Sequence, residues 1–158
     1  MKAATNHKYH IRWMVKFDME DVLAIERDCY TTPWTEDDFR YCLRQRNCIA
    51  MVVESLDGKS VIGYVLWEMH RGRLQIINFA VSYLYRRSGV GTQIVQKLIG
   101  KLTSHQRTRI TLELRESNLA AQLFFRSQGF VATKVVRRFY DDTGESAYVM
   151  EYRLGKMG

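Results

Sequence analysis

The spacing of hydrophobic and polar positions changes along the chain, and the changes predict seven strands and four helices. Apolar residues at every second position, or in a short apolar run, predict a strand, whereas apolar residues three or four apart predict an amphipathic helix. The predicted strands are Ile11–Val15, Ile49–Leu56, Val61–Met69, Leu74–Val81, Arg109–Leu114, Val131–Arg138 and Ala147–Leu154. The predicted helices are Met19–Glu26, a segment after Thr35 with Phe39, Cys42 and Leu43 turned inward, Val90–Leu102 and Leu119–Gln128.

Capping and turn residues support these boundaries. Thr35 and Asp38 resemble a capping box at the start of the second helix, with Asp in the place of the commoner Glu. The turns Asp57-Gly58 and Arg71-Gly72 separate three strands and predict an antiparallel meander. Gly129 is a typical helix-ending residue after the fourth helix.

The order of these elements, β-α-α-β-β-β-α-β-α-β-β, predicts an α/β fold built on a mixed sheet. A meander gives antiparallel neighbours, and a following β-α-β crossover adds a parallel pair. The sequence contains no internal repeat, linker or low-complexity segment. We therefore expect one domain over residues 1–158, with its core from about Tyr9 to Leu154.

The composition excludes several classes of protein. Apolar residues make up 46% and charged residues 26% of the chain, which is typical of a globular protein rather than a disordered one. One Pro and 10 Gly exclude collagen-like and Pro-rich chains. No stretch approaches the roughly 20 apolar residues of a membrane span, and residues 1–8 lack the apolar core of a signal peptide. We therefore expect no membrane attachment and a cytoplasmic location.

The cysteines and histidines do not form a recognisable metal or disulfide pattern. The 3 Cys include no CxxC pair, and the 4 His are scattered along the sequence. Cys42 follows Phe39 at helical spacing, so we expect a buried thiol there. We expect neither a disulfide framework nor a bound metal.

The charge of the chain is large and unevenly distributed. The formal net charge is +7, yet the segment Asp18–Asp38 contains eight of the 17 acidic residues and only one of the 24 basic ones. A net positive charge suits either a nucleic-acid-binding protein or an enzyme for a polyanionic ligand. The acidic segment favours two ligands of opposite charge over one long nucleic acid, so we expect no direct nucleic-acid contact.

A glycine-containing loop between a strand and a long helix is the first candidate for chemistry. Arg86-Arg87-Ser88-Gly89-Val90-Gly91-Thr92 leads into the third helix, where backbone N–H groups and the helix dipole would favour an anion. A dinucleotide fingerprint would need Gly where Ile94 stands, and Gly100-Lys101 lacks the Ser or Thr of a Walker A loop. The glycines alone would equally suit an ordinary helix-starting turn.

A second motif, which follows the loop in the sequence, favours a functional interpretation of the loop. Asn118, Ala121, Phe125, Gly129 and Phe130 follow it in the segment 116–130, with a strand between the two motifs. Together with Arg-x-x-Gly-x-Gly they resemble the GNAT superfamily of acetyl-CoA-dependent N-acetyltransferases, over about Tyr9 to Leu154. The chain is most similar to the ribosomal-protein alanine N-acetyltransferase (RimI-like) type in the segments Pro33-Trp34-Thr35-Glu36, Asn78-Phe79-Ala80-Val81, Leu112-Glu113-Leu114-Arg115, Ser117-Asn118 and Arg137-Arg138-Phe139-Tyr140. The resemblance implies the GNAT-like acyl-CoA N-acyltransferase fold.

The resemblance also implies a binding site for acetyl-CoA. The strand with Phe79, Ala80 and Val81 would pair through its backbone with the pantetheine arm. The pyrophosphate would lie against a loop made of Arg86, Arg87, Ser88, Gly89, Val90, Gly91 and Thr92. Asn118 and Phe125 occupy two further cofactor positions of the family, although Asn118 could also serve as an ordinary helix N-cap.

The catalytic pattern of the family is present only in part. The resemblance makes Glu113 the general base, while the position of the family's general-acid tyrosine is Phe125 here. Phe125 has no proton to give, which leaves three alternatives: water supplies the proton, another hydroxyl such as Tyr140 replaces the acid, or the enzyme is slow. Trp34 and Tyr140 occupy positions that border the acceptor, although either could be an ordinary packing residue.

The acceptor that the resemblance implies is the free α-amino group of a protein, such as a ribosomal protein. An α-amino group has a pKa near 8 and Lys near 10.4, so deprotonation at pH 7 costs about 1.4 and about 4.6 kcal/mol. The α-amine is therefore the easier nucleophile for a single carboxylate base. The residues are also consistent with a lysine, a polyamine or another small amine as the acceptor. Outside the enzymes, they are consistent with a basic nucleic-acid- or ribosome-binding module that has no catalytic activity.

Overall fold

The computed structural model describes residues 8–155, and the elements follow the predicted order. The strands are β1 Ile11–Trp13, β2 Cys48–Glu54, β3 Val61–His70, β4 Arg73–Val81, β5 Arg109–Arg115, β6 Val131–Val136 and β7 Ala147–Arg153. The helices are α1 Met19–Cys29, α2 Glu36–Leu43, α3 Val90–Ser104 and α4 Leu119–Ser127, with short 3-10 turns at Lys16–Asp18 and Tyr83–Tyr85. Residues 1–7, on which the expectation about a signal peptide depends, lie outside the described part.

Several element boundaries and one core residue differ from the prediction. β1 ends before Val15, because the Val15 N–H donates to the Asp18 carboxylate at 2.7 Å instead of continuing a strand. β6 ends before Arg138, whose φ of 54° is left-handed rather than extended. Leu43 is 36% exposed and not turned inward, since it is the last residue of α2.

The local signals at the start of α2 and at the end of α4 are confirmed. The Thr35 side chain accepts from the Asp38 N–H, and the Asp38 carboxylate accepts from the Thr35 N–H at 2.8 Å, which confirms the capping box. α4 ends just before Gly129, whose φ of 93° is in the region that glycine adopts without strain. Cys42 is 6% exposed, as predicted for a buried thiol.

The strands form one seven-stranded mixed sheet in the order β1-β2-β3-β4-β5-β7-β6. The β1–β2, β2–β3, β5–β7 and β6–β7 pairs are antiparallel, whereas β4 and β5 are parallel. The parallel register joins Arg73 to Arg109, Leu74 to Ile110 and Gln75 to Thr111. The parallel pair β4–β5 is the one that α3 connects, so the β-α-β crossover and the mixed sheet are confirmed.

The described chain divides into two compact units. The first contains residues 8–68 and 78–97, and its buried residues include Val22, Phe39, Val52, Tyr64, Leu66, Trp67, Ile94 and Val95. The second contains residues 69–77 and 98–155, and its buried residues include Leu74, Leu98, Leu102, Ile110, Leu112, Phe125, Phe130 and Met150. A single domain over residues 1–158 stays a prediction. In the part of the chain that the structure describes, no helix is long and apolar enough to span a bilayer.

Candidate active site

The loop before α3 lies in the first unit and has the backbone shape that an anion site needs. Arg87 and Gly89 have φ of 63° and 88°, and α3 begins directly afterwards at Val90. The Gln93 N–H donates to the Gly89 carbonyl at 3.0 Å, so the N–H groups of Val90 and Gly91 precede the first turn's hydrogen bond. A side chain at Gly89 would meet nothing within 4 Å, so open space surrounds this backbone. The loop therefore suits the pyrophosphate of acetyl-CoA.

Several side chains of the same loop are engaged within the first unit. The Arg86 guanidinium lies 3.9 Å from the centre of the Tyr83 ring and donates to Cys29 Sγ at 3.3 Å. The Ser88 hydroxyl donates to the Tyr85 carbonyl. Backbone groups are therefore better placed than Ser88 to hold a phosphate in this conformation.

The end of β4, where Phe79, Ala80 and Val81 lie, is held by side chains of α1 and its C-terminal neighbour. The Tyr30 hydroxyl donates to the Phe79 carbonyl, and the Phe79 N–H donates to Asn78 Oδ1 at 2.8 Å. Cys29 Sγ lies 3.6 Å from the Val81 carbonyl. A pantetheine arm that pairs with this strand would have to share or replace these contacts.

Gly63 on β3 permits a close approach that the sequence analysis missed. A Cβ at Gly63 would lie 3.2 Å from the Ala80 carbonyl oxygen, 3.3 Å from Val90 Cγ1 and 3.7 Å from Ile94 Cδ1. Glycine therefore lets β3 pack tightly against both the end of β4 and the start of α3. No local pattern marks this residue, because the crowding comes from residues distant in sequence.

A buried carboxylate, also missed from the sequence, organises the first unit around Asn78. Glu26 is 1% exposed, and its Oε1 accepts from the Tyr64 hydroxyl at 2.7 Å and from Asn78 Nδ2 at 2.6 Å. Its Oε2 accepts from the Trp34 backbone N–H at 3.3 Å. Burial, followed by the Glu26 charge, raises the pKa of Tyr64, so the phenol remains a donor. One carboxylate thus joins β3, β4 and the predicted acceptor residue Trp34.

Trp34 is half-buried and packs against α2. Its ring lies 5.0 Å from that of Phe39 in an edge-to-face arrangement, and Phe39 makes a similar contact with Tyr64 at 5.8 Å. The hydrogen bond to Glu26 holds the backbone of Trp34, and the ring of Phe39 holds its side chain. Both the backbone and the indole ring of Trp34 therefore have defined positions.

The predicted base Glu113 lies on β5 in the second unit and is held by an amide. Gln75 Nε2 donates to Glu113 Oε1 at 3.2 Å and to Oε2 at 3.0 Å. Gln75 Oε1 in turn accepts from Arg73 at 3.1 Å, and the same guanidinium nitrogen donates to Thr111 at 2.9 Å. These contacts orient a half-buried carboxylate on the middle of the sheet. Sequence reasoning missed Gln75, since a polar residue on a strand usually faces water.

Tyr140 is covered by an arginine in the same unit. The Arg115 guanidinium lies 4.0 Å from the centre of the Tyr140 ring and is bonded to Asp142 and Glu145 at 2.9 and 3.3 Å. Burial raises the pKa of Tyr140; Glu113 also raises it, whereas Arg115 opposes both. The phenol is therefore protonated near neutral pH, as an acid must be before it gives up its proton.

Asn118 and Phe125 take structural positions on α4. Asn118 is the N-cap, and its Oδ1 accepts from the Ala121 N–H at 3.2 Å. Phe125 is 2% exposed, and its ring lies 5.1 Å from that of Phe130. The capping interpretation of Asn118 is confirmed, and its contact with the cofactor stays a prediction, as does that of Phe125.

The acidic segment has less free charge than its composition suggests. Asp18 is 5% exposed and bonded to Arg12 at 2.8 Å, Asp21 accepts from the Val61 N–H at 3.2 Å, and Glu26 is buried as described above. Glu36 pairs with Arg40 at 2.9 Å, and Asp38 caps α2. Folding therefore uses several of these carboxylates internally, which leaves fewer of them available to a cationic ligand.

The predicted site residues are distributed between the two units. The first contains Trp34, Phe79, Ala80, Val81, Arg86, Arg87, Ser88, Gly89, Val90, Gly91 and Thr92, and the second contains Glu113, Asn118, Phe125 and Tyr140. Within residues 8–155, no group of His, Cys, Asp and Glu side chains could hold a metal ion.

The comparison with known proteins identifies the family. The profile of the acetyltransferase (GNAT) family matches residues 19–130, which is more than half of the chain. The chain therefore belongs to the GNAT acetyltransferases, and it is an acetyl-CoA-dependent N-acetyltransferase that transfers acetyl to an amine.

Two relatives and one solved structure extend this result. An uncharacterised N-acetyltransferase of Methanocaldococcus jannaschii is 32% identical, over 89% of this chain and 88% of the relative. A putative ribosomal protein bS18-alanine N-acetyltransferase of Bacillus subtilis is 29% identical, over 90% of this chain and 94% of the relative. The Arabidopsis thaliana protein NAA60, solved with acetyl-CoA, has the same fold with a TM-score of 0.79 and 13% identity, over 93% of this chain and 99% of that one.

Proposed function

We propose that the enzyme acetylates the α-amino group of a protein N-terminus, and that a ribosomal protein is the acceptor. The observation that carries this proposal is the 29% identity to a relative named as a ribosomal protein bS18-alanine N-acetyltransferase, over 94% of that relative's length. The composition supports it too, since a chain with a net charge of +7 suits the polyanionic acetyl donor. The proposed location is the cytoplasm, where ribosomal acceptors are made.

Glu113 is proposed to accept a proton from the acceptor ammonium, directly or through one water molecule. The resulting neutral nitrogen attacks the acetyl carbonyl carbon, the nitrogen of the tetrahedral intermediate gives up its extra proton to solvent water, and the intermediate then expels the CoA thiolate. Gln75 would keep the Glu113 carboxylate in one orientation through its two hydrogen bonds. An α-amine needs only about 1.4 kcal/mol for deprotonation at pH 7, which one oriented carboxylate can accommodate.

Tyr140 is proposed to give a proton to the departing thiolate. Its raised pKa keeps the phenol protonated, and the Arg115 guanidinium over its ring would stabilise the phenolate that forms afterwards. Water is the alternative donor, because a thiol of pKa near 8.5 leaves as a thiolate without much assistance near neutral pH. Phe125 cannot take part in this step.

The acetyl donor is proposed to bind through backbone groups at its phosphates and its pantetheine arm. Residues 86–92 would hold the pyrophosphate at the start of α3, with Arg87 adding positive charge. Phe79, Ala80 and Val81 would pair with the pantetheine amides, and Asn118 and Phe125 would border the remainder of the donor. Trp34 would form one wall for the acceptor's first residues.

A peptide panel tests the acceptor. Each peptide is offered with a free α-amine, with a blocked α-amine and free lysine, or with both blocked, and spermidine is included as a small amine. Acetylation that requires the free α-amine supports the proposal. Equal or faster acetylation of the α-blocked lysine peptides or of spermidine would contradict it. Varying the first residue from Ala to bulky or acidic residues then measures the specificity for the amino terminus of a ribosomal protein.

A further inference from the structure

Two of the three cysteines, Cys42 and Cys48, meet in the first unit. Cys42 lies in the last turn of α2 and Cys48 is the first residue of β2. Their Sγ atoms are 2.8 Å apart, and both residues are free thiols. A disulfide bond is about 2.05 Å long, so the sulfurs need to approach by less than about 1 Å.

The two thiols differ in their access to solvent. Cys42 is 6% exposed, whereas Cys48 is half-buried and lies opposite Glu68 in the β2–β3 register. A small reagent therefore reaches Cys48 first, and Cys42 is already in position to attack the sulfur of Cys48. Cys29, the third thiol, lies beside Arg86 and the Val81 carbonyl instead.

We propose that Cys42 and Cys48 form a redox modification site, which a small disulfide such as oxidised glutathione converts into an intrachain disulfide. In the first step the Cys48 thiolate attacks one glutathione sulfur, a mixed disulfide forms and one glutathione thiolate leaves. In the second step the Cys42 thiolate attacks Cys48 Sγ, the Sγ–Sγ bond forms and the second glutathione thiolate leaves. The protein loses two electrons and two protons, and oxidised glutathione becomes two molecules of reduced glutathione.

The new bond would tie the end of α2 to the start of β2. α2 also contains Phe39, whose ring contacts both Trp34 and Tyr64, so the bond would restrict the helix that supports Trp34. The hydrogen bond between the two thiols raises the pKa of Cys48, as does burial, and lowers the pKa of Cys42. Thiolate is therefore scarce at Cys48, which reacts first, and we expect the modification to develop over minutes to hours rather than seconds.

Peptide mapping tests the site directly. The full-length protein is incubated with oxidised glutathione at mildly alkaline pH, free thiols are alkylated and the protein is digested with trypsin. Cleavage after Arg40, Arg44, Arg46 and Lys59 places Cys42 on peptide 41–44 and Cys48 on peptide 47–59. We expect these two peptides to be joined within one chain, with the loss of two hydrogen atoms. Dithiothreitol should separate them again.

Three serine variants serve as matched controls. Cys29→Ser should retain the linked peptides with a yield within about twofold of the unchanged protein, because Cys29 takes no part. Cys42→Ser and Cys48→Ser should lose the link, and Cys42→Ser should accumulate a glutathione adduct on Cys48. Circular dichroism checks that each variant is folded. Glutathione adducts on Cys48 of the unchanged protein without linked peptides, or a link that includes Cys29 or a second chain, would overturn the proposal.

Discussion

The side-chain amide of Gln75 donates to both carboxylate oxygens of Glu113, at 3.2 and 3.0 Å. The pair connects β4 to β5 just beyond their parallel register, which ends at Gln75 and Thr111. Arg73 donates to Oε1 of the same amide, so the Gln75 amide cannot flip without also losing this hydrogen bond. The orientation of the proposed base is therefore set by residues that play no chemical part.

Replacing Glu113 tests the base. Glu113→Gln should reduce kcat/KM at neutral pH by about 10²- to 10⁴-fold, the usual contribution of a positioned acid or base. The loss should shrink as the pH rises past about 8, because the acceptor α-amine is then already neutral. Steady-state kinetics from pH 6.5 to 9.5 measures both effects. Glu151→Gln removes a carboxylate from β7 of the same unit and should leave the pH profile unchanged; a fully active Glu113→Gln would refute the assignment.

Replacing Gln75 tests whether it acts through Glu113. Gln75→Leu should lower kcat with little change in the KM for acetyl-CoA, since it frees the carboxylate to rotate. A hydrogen bond to a charged group contributes about 1.5–3 kcal/mol, so we expect a loss of about tenfold or more. In the Glu113→Gln background the same change should have almost no further effect. Additive losses in this double-mutant cycle would mean that Gln75 acts independently of Glu113.

Tyr140→Phe and Phe125→Tyr together test the source of the leaving-group proton. If Tyr140 is the acid, Tyr140→Phe should lower kcat by at least about 10²-fold while the protein stays folded. Phe125→Tyr should then change kcat little, and it should lower Tm because it places a hydroxyl at a position that is 2% exposed. Rapid-quench kinetics separates the acetyl-transfer step from product release. A Tyr140→Phe enzyme with unchanged transfer rate would instead favour water as the donor.

A pair of glycines with similar positive φ angles tests the cofactor loop. Gly89 and Gly72 have φ of 88° and 77°, and a side chain at either would meet nothing within 4 Å. Valine at each position should therefore cost similar stability, about 1–2 kcal/mol, through backbone strain alone. Only Gly89→Val should raise the KM for acetyl-CoA strongly. The KM for acetyl-CoA is measured for both variants, together with thermal melts. Equal KM values would show that the loop takes no part in binding acetyl-CoA.

The ion pair of Asp18 and Arg12 gives a stability prediction with a defined pH dependence. Burial of the Asp18 carboxylate favours its neutral form, but hydrogen bonds from Arg12 and the Val15 N–H outweigh burial and lower its pKa. The stabilisation is thus complete above the unfolded pKa near 3.9 and is lost as the pH falls through the lower folded pKa.

Urea unfolding of Asp18→Asn measures this effect. The variant should be about 1–3 kcal/mol less stable at pH 7, because Arg12 and Val15 lose a charged acceptor. The difference should decrease as the pH falls below about 4. Asp28→Asn, on the exposed surface of α1, is the control and should cost little. A cost for Asp18→Asn that does not change down to the lowest pH would contradict the lowered pKa.

The sequence by itself determined the order of strands and helices, the capping box and the family. Each of these depends on residues close together in the chain. Thr35 and Asp38 are three positions apart, and periods of two and 3.6 residues report which side of an element is buried. The two family motifs are equally local, since one shapes the turn before α3 and the other starts α4. Local patterns of this kind remain readable without knowing what packs against them.

Only the tertiary structure showed how the proposed site residues are held. Glu26 meets Asn78 across 52 positions and Gln75 meets Glu113 across 38, while Gly63 is crowded by residues from β4 and α3. A buried carboxylate on a helix and a glutamine on a strand carry no periodic signal, because their partners are chosen by the packing of distant elements. The cost of burying an unpaired polar group makes such partners necessary, but it does not identify them from one segment alone.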